Sequence, residues 1–505
     1  MMRFAPTKVL KSILSGGIVV LLIVNIQLLY WSGSGPRNGR LPDTDGYNEA
    51  KSQMDILIST STKRQVQFNK RPKSEVPMES NPLNHILDDL DHIDTTHLLN
   101  HLQGQILDTS DKEALQRTIT LINRNQTILN AEKFHFQISK ETVVIVVQVH
   151  NRLEYLLHLL NSLRNVPNVH RVLLVISHDY YSNEVNAIVH SINFCPVIQI
   201  FLPYTIQLYS NSFPGDDPND CPRDIKKEEA LKRKCNNAEY PDKYGHYRES
   251  KYCQIKHHWI WKAKYVFEDL RVTRNHSGLV LFLEEDHMVV DDLLVVMKQL
   301  QDMRIKRCPD CDILTLGNYD KNINYAASST RGLLSGLLEF LHVQPTSKPQ
   351  TVAYVETSLW VSSKHNMGMA LTKNVWNKIS SCAKDFCEFD DYNWDWTLQY
   401  VGMKCMPSPL KVLYVKSPRV YHIGECGTHA KHKICNPRDR VNQINTLLKN
   451  NEQFLYPDTL TFSLSPVPKI RLPKPNGGWG DKRDRDLCRD IIAGFKPNFT
   501  RQKIH

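Results

Sequence analysis

Hydrophobic and polar positions divide this chain into four stretches. From Ile13 to Trp31 apolar side chains run for 19 residues, broken only by small residues and by Asn25 and Gln27. As a helix rising ~1.5 Å per residue, that run crosses the roughly 30 Å of bilayer hydrocarbon once. Residues 32–82 are rich in Gly, Pro, Ser, Asn and charge without a sustained period, the composition of a flexible tether. Between 84 and 130, Ile86, Leu90, Ile93 and then Leu98, Leu102, Ile106 recur three to five apart. That spacing predicts a pair of amphipathic helices, packed on the main domain or on a second chain.

From Thr142 the pattern becomes alternating strand and helix. Thr142–Val149 is a continuous β-branched run fit for a strand buried on both faces, and Leu153–Leu163 has helical spacing. Strands are predicted at Val169–Ser177, Val197–Leu202, Gly278–Leu283 and Asp312–Leu316, and helices at Glu184–Ile192, Gln254–Leu270 and Asp291–Gln301. A polar loop with two cysteines, Pro203–Tyr252, interrupts the series. Alternating β and α with apolar strands implies an α/β fold around a parallel or mostly parallel sheet covered on both faces.

Arg3, Lys8 and Lys11 precede the apolar run, while the first basic residue after it is Arg37. The positive-inside bias puts the N-terminus in the cytosol. The layout is that of a type II protein: a cytoplasmic tail (1–12), a transmembrane signal-anchor (13–31), a lumenal stem (32–140) and a folded domain (141–505). A cleaved signal peptide is the competing reading, since Ser32-Gly33-Ser34-Gly35 is small enough to be cut. The run, however, exceeds the 7–15 residues of a signal core. The rest of the chain is ordinary for a globular body, with 41% apolar and 23% charged residues among 505. That excludes a multi-span channel, a disulfide miniprotein and a wholly disordered chain.

All twelve cysteines lie at or after Cys195, in the part on the far side of the membrane, and this reads as disulfides. Cys308-Pro-Asp-Cys311 alone also fits a redox motif or half a zinc site, but no second CxxC or HxxxH follows at zinc-finger spacing. Sequons stand at Asn125-Gln-Thr, Asn275-His-Ser and Asn498-Phe-Thr. The net charge of +10 is diffuse and lacks the aromatic interleaving of a nucleic-acid binder, so no nucleic acid is expected. Part of it would attract an anionic ligand such as a nucleotide diphosphate.

Chemistry concentrates at strand ends. Glu284-Glu285-Asp286-His287 follows a buried strand, where open α/β sheets bind ligands. Three acids there read as a Mn²⁺ or Mg²⁺ site, or as an acidic turn capping the helix at Asp291. Gln148-Val149-His150-Asn151-Arg152 leaves the first strand in polar groups without a Gly-x-Gly-x-x-Gly fingerprint. Asp179, at the second strand's exit, is placed to accept from a base or ribose, or to cap a helix. Asp391 and Asp395 stand four apart, on one face if helical, with Trp394 and Trp396 beside them. An Asp between indoles is partly desolvated and suits a general base; the plainer alternative is a helix with buried tryptophans and solvated acids. His422 ends a strand-like stub before Gly424.

Gln148–Arg152, Phe282–His287, Lys364–Leu371, Tyr392–Leu398 and the stretch His422…Gly424…Cys426-Gly427 together resemble N-acetylglucosaminyltransferase II of N-glycan processing, in the same order from about Val143 to Cys488. The resemblance implies a GT-A glycosyltransferase fold and an inverting enzyme. It would move GlcNAc from UDP-GlcNAc to the 2-hydroxyl of the α1,6-arm mannose of an N-glycan, in the Golgi membrane. It implies that Asp286 and His422 bind Mn²⁺ and that Asp395 is the catalytic base. Gln148, Val149, His150, Asn151, Arg152, Asp179, Gln254, Ile255, Lys256, His257 and His258 would contact the nucleotide sugar. The implied disulfides are Cys221–Cys235, Cys308–Cys311, Cys382–Cys405, Cys387–Cys488 and Cys426–Cys435, leaving Cys195 and Cys253 unassigned. A related enzyme acting on the α1,3 arm and an inactive lumenal glycan-binding protein are the alternatives; a homodimer through the stem is a further expectation. Where the family places a basic residue near the donor, this chain reads Asp320-Lys321-Asn322-Ile323 and continues into an extended stretch to about Thr351. Lys321 replaces that group, or the stretch is an insertion.

Overall fold

The computed structural model describes residues 106–319, 323, 325, 351–424, 436–463 and 470–495. The expected anchor, most of the stem, Lys321, Cys426–Cys435 and the Asn498 sequon lie outside the described residues. Among those described, no helix is long and apolar enough to cross a membrane.

Helix α1 (Lys112–Asn125) starts where Asp111 accepts the Ala114 amide. Its Leu115 and Ile119 are buried with Tyr181 and Phe201, and strand β1 (Ile128–Leu129) joins the sheet beside β4. Both elements precede residue 141, yet they are packed into the folded body.

The chain then runs through β2 (Val144–Val149), α2 (Leu153–Arg164), β3 (Leu173–His178), α3 (Asn183–Ser191), β4 (Val197–Phe201), α4 (Lys227–Arg233), α5 (Ser250–Lys264) and β5 (Val280–Glu284). Next come β6 (His287–Val289), α6 (Leu293–Arg307), β7 (Ile313–Thr315), β8 (Val352–Leu359), α7 (Ser362–His365), β9 (Met369–Leu371), α8 (Lys373–Ser381), α9 (Ala383–Glu388) and α10 (Trp394–Lys404). The last elements are β10 (Lys411–Val415), β11 (Val420–His422), α11 (Pro437–Asn450), β12 (Thr459–Phe462) and α12 (Lys482–Ala493).

The main sheet has the order β1-β4-β3-β2-β5-β9-β7-β10-β8-β12. Strands β4, β3, β2 and β5 are mutually parallel, as their continuous apolar runs predict. The second half is mixed: β9 is antiparallel to both β5 and β7, and β8 is antiparallel to β10. Successive side chains of β2 divide the core. Ile145, Val147 and Val149 pack with α2, α3 and α6 on one face, while Val144 and Val146 join Trp259, Trp376, Trp394 and Trp479 on the other. Cys382–Cys405 joins the C-terminal ends of α8 and α10, Cys387–Cys488 ties α9 to the middle of α12, and Cys221–Cys235 and Cys308–Cys311 close local loops. Cys195 and Cys253 are free and buried.

A separate two-stranded ribbon, β6 with β11, stands beyond the end of β5 and sets His287 opposite His422. It is fastened by the fully buried pair Arg419–Asp292, 2.6 Å apart. Asp292 precedes α6 without making a side-chain cap bond; its carboxylate pairs with Arg419 and accepts the Tyr456 amide instead. Removing one partner of such a pair leaves an uncompensated buried charge, which costs about 3–5 kcal/mol. Arg419→Met should therefore lower stability by about that much in denaturant titration, and adding Asp292→Leu should recover part of the loss.

Candidate functional site

Sequence places three acids in succession at the exit of β5; the fold buries Glu285 and Asp286 and leaves Glu284 partly exposed. Glu285 and Asp286 are only 2% and 4% exposed, so each carboxylate must find compensation. Arg152, leaving β2 at the neighbouring strand end, supplies most of it: Nε donates to Glu285 Oε1 at 2.7 Å and Nη1 to Asp286 Oδ2 at 2.8 Å. The His150 amide also donates to Glu285, at 2.9 Å. His422, brought over by β11, lies with Nε2 3.1 Å from Asp286 Oδ2. Burial opposes the charge of Asp286, but His422 and Arg152 hold its carboxyl well below the ordinary range. Burial likewise opposes the His422 imidazolium, and Asp286 raises its pKa nonetheless. Glu284 is pushed the other way, upward, by burial and by the Asp286 charge.

The other oxygen of Asp286, Oδ1, is buried and has no hydrogen-bond partner. Gly424 leaves room for this carboxylate; a Cβ there would stand 2.2 Å from Asp286 Oδ2. Donor atoms of Glu284, Asp286 and His287 all lie within 4.8 Å of one another. An orphaned carboxylate oxygen beside an imidazole is a donor set that suits Mn²⁺ or a similar divalent cation. His287 Nδ1 already accepts the Glu284 amide at 3.1 Å, which makes His422 the imidazole more available to a metal.

A second group of polar residues lines the ends of β2 and β3. Asp179, 5% exposed, faces His150 Nδ1 at 2.6 Å and His258 Nδ1 at 3.2 Å. Its oxygens are therefore engaged in orienting these two histidines, and the cap of α3 is Ser182. His150 and Asn151 are exposed at the strand end, while Val149 is buried.

Asp395 comes from another direction, in the first turn of α10. Its carboxylate accepts from the Trp396 amide and from Asn366 Nδ2, both at 2.8 Å. Burial raises its pKa against those two bonds. Tyr319 lies near Asn366, and its ring is 6.4 Å from that of His422. Tyr319 thus stands between the Asp286–His422 group and the Asp395 group. Asp391 does not share a helix face with Asp395. It is fully buried ahead of α10, where it accepts from the backbone and side chains of both Asn393 and Asn476.

These residues can be set beside known proteins. The family profile of N-acetylglucosaminyltransferase II (MGAT2) matches residues 116–342 and 337–488. The chain belongs to the N-acetylglucosaminyltransferase II family. Alpha-1,6-mannosyl-glycoprotein 2-beta-N-acetylglucosaminyltransferases of Sus scrofa and Homo sapiens are each 45% identical to it, over 73% of this chain and 77% of theirs. The enzyme of that name from Arabidopsis thaliana is 32% identical, over 71% of this chain and 76% of its own. Solved structures align loosely: S. aureus TarS 1-349 has a TM-score of 0.26 at 11% identity over 56% of this chain and 60% of its own, too low to carry an argument.

In this family member, the side chains of Gln254–His258 on helix α5 are largely engaged by the protein itself. Lys256 is fully buried, its Nζ donating to the carbonyls of Phe389 and Asp391 at 3.1 and 2.8 Å. Burial lowers its pKa to about 7, against the attraction of Asp391. His257 is buried against Asp484, and Gln254 accepts the Ile206 amide at 2.7 Å. Ile255 packs against the core, and His258 meets Ser177 and Asp179. These side chains lie in the wall beneath the site. Lys262 went unnoticed in sequence: it is buried, binds Gln148 Oε1, and has its pKa lowered to about 8 by burial despite Glu284. Asn366 and Tyr319 were also missed as functional residues, although Asn366 sits within the Lys364–Leu371 motif.

Gly424→Ala should displace the Asp286 carboxylate with little effect on the core. Calorimetric titration should show Mn²⁺ affinity falling about tenfold or more, with an unchanged far-UV spectrum. Unchanged affinity would place the cation elsewhere.

Proposed function

We propose that this chain is an inverting GT-A glycosyltransferase that moves GlcNAc from UDP-GlcNAc, in β1,2 linkage, to the α1,6-arm mannose of N-glycans. We assign it to the Golgi membrane as a single-pass type II protein with its catalytic body in the lumen. The observation that carries the catalytic reading is the pairing of two opposed groups in a member of this family. Asp286 and His422 form a cation-ready pair at one sheet end, and the desolvated carboxylate Asp395 approaches on a separate helix.

Asp395 takes the proton of the acceptor hydroxyl as that oxygen attacks the anomeric carbon, and UDP departs from the opposite side. A single displacement inverts the centre and needs no covalent enzyme intermediate. Asn366 and the Trp396 amide aim the carboxylate, and burial increases its proton affinity. His150, held by Asp179, and Arg152, fixed by Glu285 and Asp286, give the donor a preorganised polar floor. Asp286 and His422 would hold Mn²⁺, which when bound neutralises charge on the leaving diphosphate.

An assay of the protein with UDP-GlcNAc and two N-glycan acceptors tests this reading. Product should form only with the acceptor that already carries GlcNAc on the α1,3 arm; product with neither would refute the assignment. Asp395→Asn should lower turnover by about 10²–10⁴-fold while UDP binding persists. In the parent protein, the base loses activity when protonated. Because its pKa is raised, turnover should fall on acidification at a pH above the ordinary aspartate value of about 3.9.

A further inference from the structure

We propose that Asn275 is an N-glycosylation site whose first sugar seats in a cavity at the pole of the sheet opposite the catalytic groups. The inference rests on the lumenal placement of the body proposed above. Asn275-His276-Ser277 is a sequon, and its Asn and Ser are both exposed. The turn that presents it is satisfied by its own backbone: the Thr273 and Arg274 amides donate to the Leu270 carbonyl, and the His276 amide to Thr273. Among the described residues, the Asn275 side chain has no hydrogen-bond partner. Attachment would therefore break no hydrogen bond among them.

Two features distinguish this sequon from Asn125-Gln-Thr. Asn125 ends α1, and the Gln126 beside it is tied to Tyr265, Asp269 and Arg271. Asn275 instead opens onto a cavity of about 400 Å³, lined also by Ser277, Arg304, Asp310, Asp312 and Lys378. That volume lies in the range of roughly 300–1,000 Å³ typical of small-ligand sites. The charged groups in its wall are already compensated: Lys378 binds Asp312 at 2.6 Å, Lys411 binds Asp310 at 2.8 Å, and Arg304 donates to Gln301 and the Cys311 carbonyl. A wall of paired charges offers dipoles without strong net attraction for an ion, which suits a neutral hexosamine.

The location is also compatible with activity. Asn275 lies before the start of β5 and the acids lie at its end, so the strand separates them by about 16 Å at ~3.3 Å per residue. The donor is a lipid-diphosphate-linked oligosaccharide. The Asn275 amide nitrogen forms a bond to the anomeric carbon, the carbon–oxygen bond to the lipid diphosphate breaks, and the amide gives up one proton.

The test is peptide mapping of the full chain expressed in a eukaryotic host, with Asn275→Gln and Ser277→Ala beside the parent. The Asn275 peptide should carry glycan in the parent and none in either variant, and both variants should keep transferase activity. Glycan at Asn125 or Asn498 with a bare Asn275 would overturn this proposal alone. All three sequons bare would overturn the lumenal placement as well. Seating predicts that amidase releases the Asn275 glycan at least about tenfold more slowly from native than from denatured protein, the protection expected when access requires local opening. Equal rates would overturn the seating.

Discussion

Everything around the site follows from crowding three consecutive carboxylates, two of them buried, at the end of β5. A lone ionised carboxylate is expensive to desolvate, and Glu284, Glu285 and Asp286 repel one another besides. Arg152 from β2, His422 from β11 and Lys262 from α5 converge on them from three separate segments. Each arrival imposes a structural requirement. Arg152 must leave β2 in register with β5, the ribbon of β6 and β11 must be fastened by Arg419 and Asp292, and Gly424 must lack a side chain. The remaining deficit is the unpaired oxygen of Asp286, which a cation would meet.

Helix α5 organises the other parts of the site from below. It is buried nearly all round although its sequence is rich in Lys and His, because each polar head reaches a specific partner. Lys256 holds the loop before Asp395, His258 meets Asp179 and through it His150, and Lys262 meets Gln148 and Glu284. One rigid element thus sets the base loop, the strand-end histidine and the acidic cluster relative to one another, consistent with the precision that a single displacement requires.

Much of this was legible in sequence, for identifiable reasons. The runs at 142–149 and 197–202 match β2 and β4 within two residues because strands buried on both faces leave an uninterrupted apolar signal. The clustering of acids after Leu283 marked the site because such a pattern is hard to accommodate by chance. What stayed hidden depends on contacts distant in sequence. Strand β9, only three residues long, has no period to read, so the antiparallel insertion between β5 and β7 went unseen. The partners of Lys256 and His257 are of this kind, because sequence does not show which side of a buried helix carries a carbonyl to receive them. Asp391 resembled a partner of Asp395 at helical spacing, but the helix begins only at Trp394.

The most direct test of the account is anomalous X-ray scattering from crystals of the protein grown with Mn²⁺ and UDP. The account predicts a single strong manganese peak in contact with Asp286 and His422, with His422 turned from the Asp286 carboxylate toward the ion. A peak held by Glu284 and His287 without His422, or none near Asp286, would contradict it.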